Sequence, residues 1–427
     1  MIKDFFEKLT QIFKTKELRN KILFIFALLV VFRLAANIPL PGIDVAQIKD
    51  LFAENQLVGL LNMFSGGGLS NISIVLLGLG PYITASIIMQ LLTMIVPRME
   101  QLHKEEGEQG RQKFNSITRV LTVPLAIMQT FAMVTLLKSQ GIITQLSSFD
   151  MVLIIIVATS GTIFLMWLGE LITEKKIGNG VSIMIFAGIV ASLPTMLSQT
   201  SATFDERDIY KYILFAVVGL LTIVGVVFVS EGQRNIPISY AKRMRGNQSY
   251  GQAASHLPLR VNQAGVIPII FAVSLILFPT MVGGMLAQAS SESVAAFGQM
   301  LTDLFQNQWV YGIVYFSLVV LFTYFYTAVV FDPHKIAENL QKQGGYVPGV
   351  RPGSETEEYL GRIVTRITLA GALFLGTIAV MPVVVSGVTG MTALTIGGTS
   401  ILITVSVVIE IVKQLEAQMV MRDYDGF

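Results

Sequence analysis

Residues 55–97, NQLVGLLNMFSGGGLSNISIVLLGLGPYITASIIMQLLTMIVP, run for 43 positions without Asp, Glu, Lys or Arg. One helix crossing a bilayer needs about 20 apolar residues, so this stretch is long enough for two spans, and the choice between one and two sets the orientation of every later segment. From about residue 74 the run is continuously apolar. The part before it, Leu57 to Ser73, holds four glycines, two asparagines and three serines.

Working outward, nine further stretches lack ionisable Asp, Glu, Lys or Arg over most of a span. An ionised side chain at the bilayer centre costs roughly 2.5 to 3.5 kcal/mol even on a lenient scale, so such stretches locate helices. Ten spans are predicted at about 22–38, 74–96, 118–137, 151–172, 181–199, 211–230, 264–284, 309–331, 362–384 and 396–413. With a cytoplasmic N-terminus, Lys and Arg divide 25 inside to 5 outside (Arg33, Lys49, Lys138, Arg207, Lys211), as the positive-inside rule requires. A crossing at 57–73 would destroy that division. The segment is therefore expected to stay on one side, as a re-entrant half-helix buried in protein or lining a cavity, or as an ordinary outer loop. Both termini are expected to be cytoplasmic. The basic residues before span one and the lack of a small-residue cleavage site before Arg33 mark that span as retained rather than a cleaved signal.

Composition agrees with a membrane bundle. Of 427 residues, 53% are hydrophobic and 14% charged, against about a quarter charged in soluble domains. The net charge of +2 selects no anionic partner globally, and zero cysteines exclude disulfides and thiolate chemistry. The three histidines fall in polar loops at spacings that form no metal motif, and no phosphate-binding or nucleophile-elbow motif is present. No catalytic residue, metal ligand or cofactor site is expected, and any work must be driven from outside. The halves before and after residue 205 hold five spans each. Pro81 and Pro268 are expected to break the second span of each half, a pattern of two oppositely oriented repeats, 1–204 and 205–427. A secondary transporter would share that pattern but usually buries charges at mid-membrane. An intramembrane enzyme would need a nucleophile and base, and no span holds histidine or cysteine.

Two long basic segments remain, 231–263 and 332–361, the second with the turn-rich run GGYVPGVRPGSET at 344–356. They serve topology alone or dock an acidic or phosphate-bearing partner.

Several long motifs resemble the SecY family of bacterial protein-translocation channels: PLPGID (39–44), NMFSGGGLSNISI (62–74), GLGPYITASIIMQLL (78–92), KEEGEQGRQK (104–113), FLMWLGELITEKKIGNGVSIMIFAGIVASLP (164–194), LPLRVNQAGVIPIIF (257–271), ENLQKQGGYVPGVRPG (338–353) and IGGTSILI (396–403). The likeness runs along essentially the whole chain. It implies an all-α polytopic membrane protein, with ten transmembrane helices in two inverted five-helix halves around a central pore and a re-entrant plug. The expected function is a polypeptide-conducting channel that also releases membrane segments sideways. The resemblance assigns Leu79, Ile83, Ile185, Ile189, Ile270 and Ile403 to the constriction ring, and Phe64, Gly66, Gly67 and Gly68 to the plug at about 57–73. It places Thr84, Gln129, Asn262 and Phe278 at a lateral gate, and Arg243 and Arg351 at docking sites for the ribosome and the SecA motor. SecE and SecG as membrane partners, signal peptides and secretory or membrane polypeptides as cargo, and lipid at the side exit are implied in the same way.

Overall fold

A computed structural model describes residues 14–40, 67–68, 72–104, 107–139, 147–202, 209–240, 255–287, 289, 291–389 and 397–425. In chain order the elements are α1 (Lys16–Ala35), α2 (Gly80–Ile95), α3 (Pro97–Lys104), α4 (Gly107–Ser139), α5 (Ser148–Glu174), α6 (Gly180–Ala202) and α7 (Ile209–Glu231). There follow β1 (Gln233–Tyr240), β2 (Ser255–Arg260), α8 (Ile267–Leu286), α9 (Glu292–Gln306), α10 (Gln308–Val330), α11 (Pro333–Lys342), β3 (Gly345–Tyr346), α12 (Ser354–Thr389) and α13 (Gly397–Asp425).

Each predicted span coincides with a helix: α1, α2, α4, α5, α6, α7, α8, α10, α12 and α13. Six of them (α4, α5, α7, α8, α10 and α12) are long and apolar enough to cross a membrane, while α2 and the first part of α6 are apolar but shorter. Hydroxyl side chains inside the helices bond back to their own backbone, as Thr118 does to Phe114, Thr122 to Thr118 and Thr323 to Val319. In an apolar medium this satisfies the hydroxyl without a second helix. Helix starts are set locally. Ser147 and Asp150 form a capping box for α5, an arrangement worth about 1 kcal/mol, and Asn307 caps α10 through its side-chain oxygen.

Span two is shorter than the sequence suggests. Residues 72–79 are turns, and α2 begins only at Gly80 with Pro81 in its first turn. The turn segment pairs with the exit of α1 through Leu40 N–H to the Ile72 carbonyl (2.8 Å) and Ile74 N–H to the Ile38 carbonyl (2.9 Å). It also lies hard against α5, where a Cβ on Gly161 would collide with the Ile74 carbonyl oxygen. Proline suits a first turn because the N–H it lacks would be unpaired there. Thus Pro81 and, at the start of α8, Pro268 begin their helices instead of breaking them, whereas Pro124, Pro194, Pro279 and Pro382 lie within α4, α6, α8 and α12.

The first six helices pack among themselves, α1 against α5 and α6 and α2 against α4, and the later ones likewise, α10 against α12 and α7 against α13. The two groups meet principally where α8 lies on α2 and α4, and where α13 lies on α6. Between these contacts sits the main apolar core, drawn from both groups.

The two basic segments are more than loops. Strands β1 and β2 pair antiparallel, Ile236 opposite Leu257, and β3 joins the other edge of β1 through Ser239 and Tyr346. Ile236, Leu259 and Val347 pack with Leu360, Ile363 and Val364 of α12 in a separate small core.

An apolar waist, its seam and a docking sheet

The six residues assigned to the constriction converge. Leu79 caps α2, Ile83 lies in its first turn, Ile185 and Ile189 stand on α6, Ile270 on α8 and Ile403 on α13. All are at most 4% exposed, and all belong to the one main cluster. In a bilayer, whose acyl chains are as apolar as these side chains, such a cluster is held by close packing more than by exclusion of water. The cluster thus brings together the N-terminal parts of four helices, two from each half of the chain.

A repeat that the sequence reading missed explains the convergence. Gly78 and Gly265 both adopt left-handed backbone, φ 55° and 63°, which glycine accepts without steric cost. Each is followed three residues later by the helix-starting proline, in Gly78-Leu79-Gly80-Pro81 and Gly265-Val266-Ile267-Pro268. Ile83 and Ile270 stand at the same distance beyond these glycines. A second repeat opens α6 and α13: Gly180-Val181-Ser182-Ile183-Met184-Ile185 and Gly398-Thr399-Ser400-Ile401-Leu402-Ile403. Ser182 and Ser400 are buried alike, and the ring positions Ile185 and Ile403 again correspond. Internal comparison of the two halves would have shown both repeats.

At the seam, the Gln129 amide donates to the Thr84 hydroxyl at 3.3 Å, joining α4 to α2, and Thr84 donates to its own Gly80 carbonyl at 3.0 Å. On the other side the Asn262 amide turns back to the Gly265 carbonyl at 3.2 Å, leaving its buried Oδ1 without a protein partner. Phe278 of α8 is partly exposed. These polar groups bond within their own side of the seam, and α8 meets α2 and α4 largely through apolar side chains.

Of the plug residues, Phe64 and Gly66 lie outside the described residues. Gly67 and Gly68 form a turn: Gly67 has φ 86°, and the Gly68 carbonyl accepts from Ser73 N–H at 2.7 Å. A Cβ on Gly67 would stand 3.0 Å from an Arg33 guanidinium nitrogen, so this arginine lies directly against the turn. Arg243 also lies outside the described residues. Arg351, just ahead of α12, is highly exposed, with Glu355 in the first turn of that helix at 3.7 Å; surface pairs of this kind contribute little. Nearby, His334 Nδ1 and a Glu357 carboxylate oxygen are 2.9 Å apart. That hydrogen bond and the adjacent negative charge raise the His334 pKa above its ordinary value, while Lys342 lowers that of Glu338.

An apolar waist shared by two groups of helices, a weakly bonded seam beside it and a polar sheet at one end define a multi-pass helical membrane protein of the channel-forming kind. Comparison with known proteins narrows the class. The family model SecY matches residues 73–412. Protein translocase subunit SecY of Corynebacterium glutamicum is 43% identical over 438 residues, covering 97% of this chain and 98% of that one. The subunit of the same name from Streptomyces galbus is 44% identical over 432 residues with the same coverage. A solved protein-conducting channel superposes with a TM-score of 0.63 at 20% identity over 94% of this chain and 92% of its own. Sec61 in the canine ribosome–channel complex from the endoplasmic reticulum gives 0.59 at 19%, with the same coverage. This chain belongs to the SecY family.

Proposed function

We propose that this chain is the channel subunit of a bacterial protein translocase. It passes unfolded secretory polypeptides across the plasma membrane and releases membrane segments sideways into lipid, with both termini and the three-stranded sheet in the cytoplasm. The observation that carries the reading is the waist, six apolar side chains from both halves gathered into one buried cluster in a chain of this family.

Branched apolar groups at a constriction exclude water and ions by dewetting while offering a sliding chain no polar site to bind. The left-handed glycine and the Gly-x-Ser-Ile-x-Ile repeats support the division into two inverted halves, 1–204 and 205–427. The glycine turn at Gly67 and Gly68, ahead of the start of α2 in sequence, is the described part of a plug spanning about 57–73. For lateral release, α8 parts from α2 and α4. An apolar signal sequence covers the apolar faces that this opening bares, and the Thr84–Gln129 bond stays intact on one side, so no polar group is stripped of its partner.

The drive comes from outside, from a ribosome or the SecA motor docked on the sheet, with Arg243 and Arg351 as contacts; SecE and SecG complete the complex. Strand β2 leads through residues 261–266 directly into α8, so a partner gripping the sheet pulls on the helix that opens the seam.

Single-channel conductance tests the reading. In planar bilayers, Ile83→Asn with Ile403→Asn, and deletion of residues 62–70, should each raise the ion conductance of the idle channel while polypeptide transport continues. Variants as tight as the parent that no longer transport would refute the waist and plug assignments.

A further inference from the structure

We propose that α9 is an interfacial helix: it lays an apolar face into the lipid surface at the end of the bundle opposite the three-stranded sheet, and holds the end of α8 there. The helix sits between two spans and packs on both, which keeps it at the end of the bundle. A single residue, Asn307, ends α9 and caps α10. In the first turns of α10, Trp309 is 70% and Ile313 67% exposed. A tryptophan at the tip of a spanning helix marks the membrane–water boundary, so the C-terminal end of α9 lies at that boundary.

The sequence ESVAAFGQMLTDLFQ (292–306) divides α9 into three faces. Val294, Phe297, Met300 and Leu304 fall on one side at helical spacing, and all four are exposed. Glu292, Gln299 and Asp303 occupy another. The third is pressed against α8, with no room for a side chain at Gly298: a Cβ there would collide with the Ala287 backbone nitrogen and stand 2.7 Å from the Gly283 oxygen. One on Gly283 would meet Thr302 Oγ1 at 2.8 Å. An apolar stripe beside a polar one, on a helix tied at one end to the boundary, suits a lipid surface. Helix α9 packs against α10 as well as leading directly into it, and both carry exposed apolar side chains, so the lipid that covers α10 is at hand to cover the stripe of α9. The absence of Lys and Arg from α9 makes the contact one with acyl chains, not with anionic headgroups. Through the Gly283–Gly298 lock, whatever position the lipid gives α9 is imposed on the end of α8.

The inference rests on reading α10 as a span, and the test separates the two. Because the chain has no cysteine, nitroxides can be attached one at a time to Phe297→Cys, Met300→Cys, Gln299→Cys, Asp303→Cys and Ile313→Cys in the full chain reconstituted in phospholipid vesicles. Labels at 297 and 300 should be relaxed several-fold more by lipid-soluble oxygen than by a water-soluble nickel chelate, and those at 299 and 303 the reverse. Equal access of the chelate to all four α9 sites overturns the proposal. So does protection of 297 and 300 from both reagents, which would mean that protein covers the stripe. Loss of oxygen preference at Ile313 would instead refute the span itself, and the proposal with it.

Discussion

The two places where the halves meet are built differently. On one, α13 is tied to the first half by polar bonds: the Gln418 amide donates to the Lys176 carbonyl, and Lys21 donates to Gln418 Oε1 at 3.4 Å. Lys413 and Glu231, 2.7 Å apart, fix α13 to α7 as well. On the other, α8 rests on α2 and α4 through apolar contact, and the polar side chains of the seam bond to their own side. Hydrogen bonds fix a distance and a direction, whereas apolar contact is indifferent to which apolar partner supplies it. On the proposed channel reading, the first side is the hinge and the second the door. The fold places the choice in side-chain chemistry, since the helices on both sides are alike.

The largest effect should come from clamping each side in turn. Cysteines at Thr84 and Phe278 should cross-link in the idle channel and stop transport until reduced. A pair at Gly178 and Ile411, where a Cβ on Gly178 would be 3.7 Å from Ile411 Cγ1, should cross-link and leave transport running. A block by the second pair, or free transport through the first, would reverse the assignment of hinge and door.

A smaller effect is expected from weakening the hinge. Gln418→Ala removes bonds that contribute about 0.5–1.5 kcal/mol each, and should lower the thermal midpoint of the purified channel, while Gln129→Leu, at the door, should shift it less. Arg351→Glu sharpens the link between sheet and door. Charge reversal on so exposed a residue changes stability by about 0.5 kcal/mol or less, so motor- or ribosome-driven transport should fall with no change in the midpoint. Normal transport would remove Arg351 from the docking surface.

The smallest effect concerns His334. Its raised pKa means that the bond to Glu357 favours the protonated ring. The contribution is full below the ordinary histidine value near 6.5 and disappears as pH rises through the raised one. In Glu357→Gln the NMR titration midpoint of His334 should move down; an unchanged midpoint would mean that the pair does not form in solution.

Most of the helical plan was legible because charges are excluded from spans, a rule that needs no knowledge of packing. Where it stopped is equally physical. Residues 72–79 are as apolar as a helix, and only Gly78 and Pro81 hint that the backbone turns there. The sheet was hidden because β3 is only two residues long and β1 and β2 each carry a proline, although Ile236-Pro237-Ile238 and Leu257-Pro258-Leu259 show the alternation of a half-buried strand. Amphipathic α9 went unread because its exposed stripe interrupts what passes for a loop. Five of the six waist residues are isoleucines indistinguishable by type from their many lipid-facing or packed neighbours. Their place came from resemblance, and the repeated glycine offsets single out four of them, Ile83, Ile185, Ile270 and Ile403, from within the chain.

Those offsets carry a consequence for how such an aperture is calibrated. Ile83 and Ile270 stand five residues past the two left-handed glycines, and Ile185 and Ile403 five past the helix-opening Gly180 and Gly398. In the proposed channel, the width of the opening is therefore read from a local ruler laid down in duplicate. Exchanging isoleucine for a larger or smaller side chain at one mark retunes the bore in a small increment while the scaffold keeps its alignment. Inserting or deleting a single residue between glycine and mark would rotate that side chain by about 100° around its helix and take it out of the aperture altogether.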